Sequence, residues 1–89
     1  MTVTRAVTIS NRRGLHARAS AKFVTLAAEQ PIPVQVAKGA STVTGTSIMG
    51  LMMLGAAMGD TIVISASGDG AEQVVAAMCD LVEAKFGED

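Results

Sequence analysis

The single histidine of this 89-residue chain, His16, lies in the run Gly14-Leu15-His16-Ala17-Arg18-Ala19-Ser20. Turn-forming residues from Asn11 to Gly14 precede it and residues at helical spacing follow, so His16 falls where a loop feeds a helix. The first N–H groups of a helix have no carbonyl partner within it and attract anions. The same field disfavours a protonated imidazole, so His16 is expected to be largely neutral near pH 7, with a ring nitrogen free to attack phosphorus. Once a phosphoryl group is attached, the position that favoured the nucleophile favours the new negative charge. Arg18 can add a charge-assisted hydrogen bond to a phosphoryl oxygen. From the residues alone a plainer description stays open, in which His16 is a surface histidine at a helix start and Arg18 is solvated.

Other chemistries find less support. No second histidine exists, and Cys79 falls on the apolar face of a helical pattern, where a buried inert thiol is the expectation, so no metal and no cofactor is foreseen. A stand-alone Ser/His/Asp hydrolase would need a nucleophile elbow and a substrate pocket, and so short an aliphatic chain offers neither.

The elements that must carry His16 can be traced from periodicity. Val3, Arg5, Val7 and Ile9 alternate with Thr4, Ala6 and Thr8, which predicts a first strand. A helix is expected from His16 to about Ala28, with Ala19, Phe23, Leu26 and Ala27 on its inner face. Beyond Pro31 and Pro33, Val34 to Ala37 and Ser41 to Thr44 read as a hairpin turning at Lys38-Gly39. Ser47 stands where the N-cap of a short helix belongs, before Ile48, Leu51 and Met52. Thr61 to Ser67 alternates as a fourth strand, and Gly68-Asp69-Gly70 is a turn. Ala71, Val74, Val75, Met78, Leu81 and Val82 predict a last helix running to about Phe86. The order β-α-β-β-α-β-α predicts a single α+β domain over residues 1–89, with a four-stranded antiparallel sheet carrying three helices on one face. The Thr and Ser alternating along the strands fit an opposite face open to water.

Composition agrees. Residues of the AVILMFWYC set form 49% of the chain and only Phe23 and Phe86 are aromatic, so the core must be aliphatic. One cysteine cannot form an internal disulfide, no secretory leader pattern opens the chain, and the longest apolar run, Ile48 to Met58, is too short to span a bilayer. A cytoplasmic protein without membrane insertion is the expectation. Charge is divided along the chain: residues 1–38 hold six basic side chains against one acidic, and residues 39–89 hold one basic against seven acidic. Such a division suggests a basic face for an acidic partner or a phosphate. Mild overall acidity and the lack of aromatic platforms near the basic residues argue against nucleic acid.

Three segments resemble a known family. Gly14-Leu15-His16-Ala17-Arg18 resembles the active-site motif of the HPr histidine phosphocarriers of the bacterial phosphoenolpyruvate-dependent phosphotransferase system. Thr46 to Gly55 resembles that family's regulatory serine segment, and Ile62 to Gly68 its last strand. The likeness covers nearly the whole chain; the family's usual proline after the arginine is Ala19 here. The resemblance implies that His16 accepts a phosphoryl group on Nδ1 from enzyme I and passes it to an EIIA-type domain. It implies a carrier that depends on its partners' catalytic machinery and is not itself an enzyme. It places Arg18 beside the phosphohistidine and makes Ser47 the target of an HPr kinase/phosphorylase. It assigns partner docking to Ala17, Ile48, Met49 and Met52, and it implies a monomer. Without it, Ser47 reads as an ordinary N-cap and the apolar residues of its helix as divided between core and surface, with Leu51 inside and Met49 outside. The alternative of a different class is a small α+β ligand-binding or interaction domain in which His16 transfers nothing.

Overall fold

The computed structural model describes residues 1–88. Strand β1 (Thr2–Thr8) leads through the Asn11–Gly14 turn into helix α1 (Ala17–Ala28). Strands β2 (Gln35–Lys38) and β3 (Ser41–Thr44) form the hairpin, helix α2 (Ile48–Met53) follows, and β4 (Thr61–Ser67) and α3 (Ala71–Glu83) complete the regular elements. The sheet is antiparallel in the order β1-β4-β2-β3. The three helices cover one of its faces, which makes an open-faced sandwich.

Period-2 alternation explains this layering. On β4, Ile62, Ile64 and Ala66 are buried while Thr61, Val63, Ser65 and Ser67 face away from them. Val7 opposite Ile62 and Val36 opposite Ile64 extend the apolar face across three strands. Phe23 of α1, Leu51 of α2, and Val74, Val75, Met78 and Val82 of α3 close over it. Burying such side chains is worth about 1.5–3 kcal/mol each, the main favourable term in a chain this short. Arg5 shares the inner period of β1, but β1 is an edge strand, and the guanidinium reaches the rim of the helical layer to stand 4.0 Å from Glu83.

Several boundaries differ from those read in the sequence. The first strand ends at Thr8, and Ile9 leaves it buried while its backbone bonds the loop before β4, its N–H donating to Asp60 O and its carbonyl accepting from Gly59 N–H. His16 is the N-cap of α1 and not its first residue. The second strand is shifted by one residue, so Lys38 still pairs with Ser41 and the turn falls on Gly39 and Ala40. The last helix does not continue to Phe86. It stops at Glu83, and Lys85 and Phe86 both take left-handed backbone angles (φ 59° and 55°) within a short 3-10 turn, Lys85–Gly87. A helix continued through Phe86 would have kept to its axis. The reversal instead buries the Phe86 ring and sends Glu88 back toward the start of α1.

Candidate functional site

The loop before α1 is built around a close approach that only glycine permits. Gly14 has φ +62°, and a Cβ there would lie 2.3 Å from the Ala56 carbonyl oxygen. Next to it, Leu15 N–H donates to that same carbonyl at 2.9 Å, fixing the loop to the segment between α2 and β4. That segment is itself braced. Asp60 Oδ2 accepts from Ala57 N–H at 2.9 Å and from Lys38 Nζ at 3.2 Å, and Lys38 Nζ also reaches Gly55 O at 3.1 Å. The Ala57 bond and the Lys38 ammonium hold the Asp60 carboxyl below its ordinary value. Ser20, buried, donates its hydroxyl to Leu15 O and its backbone N–H to His16 O. α1 therefore starts at Ala17 without the proline that Ala19 replaces, and Ala19 is fully buried.

His16 extends from this frame with both ring nitrogens engaged. Nδ1 accepts from the Arg18 backbone N–H at 3.2 Å. Nε2 stands 2.8 Å from Glu88 Oε2, and the other Glu88 oxygen accepts from Asn11 Nδ2 at 3.1 Å. A backbone N–H can only donate and an ionised carboxylate can only accept, so the two contacts together specify the neutral tautomer with its proton on Nε2 and its lone pair on Nδ1. The exposed position expected of His16 is corrected: its side chain keeps only 17% of its accessible surface, because Glu88 covers the Nε2 edge. Desolvation raises the Glu88 carboxyl, but the hydrogen bonds from Asn11 and His16, with the nearby Lys22 ammonium, outweigh it and leave the group below its ordinary value.

Arg18 is exposed, and no described residue pairs with its guanidinium. Ala17 beside it is also exposed. α2 packs against α1, which sets a second group of predicted residues on a neighbouring element. Ser47 caps α2 as expected, its hydroxyl oxygen accepting from Gly50 N–H at 2.9 Å. Leu51 is buried, whereas Ile48, Met49 and Met52 are exposed, with Met49 at 71% and the adjacent Met53 at 79%. These apolar side chains all meet solvent within the one helix α2, which is more than scattered surface hydrophobes require. Cys79 is buried among aliphatic side chains, and desolvation raises its thiol. No cluster of three His, Cys, Asp or Glu side chains able to hold a metal forms among the described residues.

Two residues of the site were not singled out by sequence reasoning. Asn11 reads in the sequence as a turn former, yet it is fully buried and holds both Gly14 O and Glu88. Glu88 carries no local sequence signal beyond its charge. A buried asparagine is foreshadowed by its place before a glycine turn, but nothing local foreshadows Glu88, which is 72 positions from His16.

The site is a histidine capping the first helix of an open-faced α+β sandwich. Comparison with known proteins shows the family to which this arrangement belongs. The family profile PTS-HPr, described as the PTS HPr component phosphorylation site, matches residues 3–84. Phosphocarrier protein HPr of Neisseria meningitidis is 45% identical over 83 residues, covering 93% of each chain. Phosphocarrier protein NPr of Shewanella violacea is 42% identical over 84 residues, covering 94% of this chain and 92% of that one. Among solved structures, HPr of Thermoanaerobacter tengcongensis superposes with a TM-score of 0.91 at 40% identity and 98% coverage of both chains. HPr of Bacillus anthracis gives 0.86 at 34% identity, with 91% and 96% coverage. The chain belongs to the HPr family, and its class is that of a phosphocarrier of the phosphotransferase system.

Proposed function

We propose that His16 Nδ1 accepts a phosphoryl group from phosphorylated enzyme I and passes it to an EIIA-type domain. The single observation that carries this reading is the Nδ1 contact with Arg18 N–H at the start of α1. It leaves a lone pair on Nδ1 and places a helix N-terminus where the phosphoryl oxygens arrive. Arg18 supplies a second, mobile donor to those oxygens, worth about 1.5–3 kcal/mol as a hydrogen bond to a charged group. Ala17, Ile48, Met49 and Met52 form the docking surface, the methionines suiting a face that meets more than one partner. The basic residues of the N-terminal half favour acidic partner surfaces.

Ser47 is the regulatory site in this reading, phosphorylated by an HPr kinase/phosphorylase. The cap geometry suits it, since phosphoryl oxygens can take over the acceptor role that the hydroxyl now plays toward Gly50 N–H. The protein works as a monomer in the cytoplasm and depends on its partners' catalytic groups for both transfers. Incubation with phosphoenolpyruvate and enzyme I tests the core of this reading. The wild-type chain should gain one acid-labile phosphate, and His16→Ala should gain none while keeping its circular dichroism spectrum. Acid-labile phosphate on His16→Ala would defeat it, and an unphosphorylated wild type would favour an interaction domain.

A further inference from the structure

The edge of His16 turned away from the phosphoryl site is as closely defined as the edge that faces it. Glu88 Oε2 meets Nε2 at 2.8 Å and Asn11 Nδ2 holds Oε1 at 3.1 Å, while Asn11 is itself anchored on Gly14 O at 2.9 Å. The His16 and Glu88 side chains each retain 17% of their surface, so water competes weakly for this bond. Nor is Glu88 part of a loose tail. The Phe86 ring is buried, Lys22 Nζ grips the Phe86 carbonyl at 2.7 Å, and Glu88 N–H closes on Lys85 O at 2.8 Å. The left-handed angles at Lys85 and Phe86 are what turn the chain toward His16, and non-glycine residues take them at a cost.

We infer that Glu88, held by Asn11, is a positioning residue for phosphoryl transfer: it fixes the Nε2–H tautomer of His16 and balances the positive charge that the ring gains when Nδ1 is phosphorylated. The inference rests on the reading of His16 as the phosphoryl acceptor. In the forward step the Nδ1 lone pair forms the N–P bond. The bond from phosphorus to the donor atom breaks, and its electron pair leaves on the donor. Nε2 keeps its proton throughout, so no base is needed and the ring passes from neutral to cationic. A carboxylate already in contact with Nε2–H stabilises that cation without reorganising. In the onward step the N–P pair returns to Nδ1 as the acceptor's nucleophile takes the phosphoryl group, and the ring is neutral again. A carboxylate behind the histidine of serine hydrolases acts on its imidazole in the same physical way, by orienting the ring and stabilising the imidazolium.

The test uses the full chain labelled with 15N in its histidine ring, with Glu88→Gln and Glu88→Ala beside the wild type. Ring shifts recorded at about pH 8, above the ordinary histidine range, report the tautomer without any phosphoryl donor. The wild type should show the Nε2–H form, Glu88→Gln should retain it through the amide oxygen, and Glu88→Ala should show a mixture of both tautomers. With phosphorylated enzyme I as donor, both variants should accept the phosphoryl group about tenfold to a hundredfold more slowly, as expected for loss of one charge-assisted hydrogen bond. Backbone amide spectra matching the wild type show that the fold is kept. A wild-type ring protonated on Nδ1 would overturn the inference whatever the variants do, and so would wild-type transfer rates in either variant. Absence of phosphorylation on wild-type His16 would instead defeat the carrier reading, which the ring shifts distinguish because they need no donor.

Discussion

Glu88 Oε2 and His16 Nε2 stand 2.8 Å apart across a separation of 72 residues. The contact joins the far end of the described chain to the start of α1, so the stability of the C-terminal turn and the chemistry of the histidine are linked through one hydrogen bond. Phe86 and Lys22 make that link firm, the first by burial and the second by its bond to the Phe86 carbonyl.

Phe86→Ala should therefore act twice. Removing a fully buried phenylalanine costs about 3–5 kcal/mol, which urea or thermal unfolding will measure. The released turn should also free Glu88, so His16 in the folded variant should lose its preference for the Nε2–H tautomer. A folded variant with unchanged ring shifts would show that Glu88 finds His16 without the turn.

Arg18→Ala should leave the unfolding midpoint nearly unchanged, because the side chain is exposed and no described residue pairs with it. Rapid-quench measurement of transfer from enzyme I should show a loss of about 1.5–3 kcal/mol in transition-state stabilisation. Transfer at the wild-type rate would reduce Arg18 to solvated surface.

The β-α-β-β-α-β-α order, the buried face of β4 and the capping role of Ser47 were legible because each depends on local periodicity or local turn chemistry. Leu51 inside and Met49 outside followed from helix geometry over a span of two positions. The end of α3 was not legible. Its apolar spacing continues smoothly into Phe86, and what breaks it is tertiary: the ring fills the core from a reversed chain, and Lys22 of a different helix caps the turn. For the site, the Gly14 to Arg18 run disclosed the setting of His16 at a helix start, whereas the Asn11–Glu88 clamp arises only from folding the two ends together. Asn11 also shows how a polar core residue escapes pattern reading, since its burial depends on partners at Gly14 O and Glu88 that a turn assignment does not reveal.

Phosphorylation of Ser47, or Ser47→Asp as a weaker mimic, should lower affinity for enzyme I while the helical circular dichroism signal is kept. Phosphate adds about −1.5 to −2 charge at pH 7 beside exposed Ile48, Met49 and Met52. The first N–H groups of α2 tolerate the anion, but docking would have to desolvate it against an apolar contact and an acidic partner. High salt should relieve only the long-range part of the defect. Equal affinity by titration calorimetry would remove α2 from the docking surface, and lost helicity would shift the cause to the fold.

Asp60 gives a pH-dependent prediction whose sign follows from its lowered carboxyl. A folded-state value below the unfolded one means that the ionised group stabilises the fold above its ordinary range, and that this contribution is lost as pH falls through the lowered value. Asp60→Asn should therefore unfold at a lower temperature than the wild type near neutrality, and the two melting curves should converge as pH falls through the lowered carboxyl's range. A gap that persists in acid would assign the effect to packing or to the Ala57 hydrogen bond alone.

The central claim is that Nδ1 of His16 carries the phosphoryl group, and the most direct measurement is the 31P–15N coupling pattern of the chain after reaction with phosphoenolpyruvate and enzyme I. The account predicts a single phosphohistidine with phosphorus bonded to Nδ1 of His16 and a proton retained on Nε2. Phosphorus bonded to Nε2, or phosphate on any other residue, would contradict it.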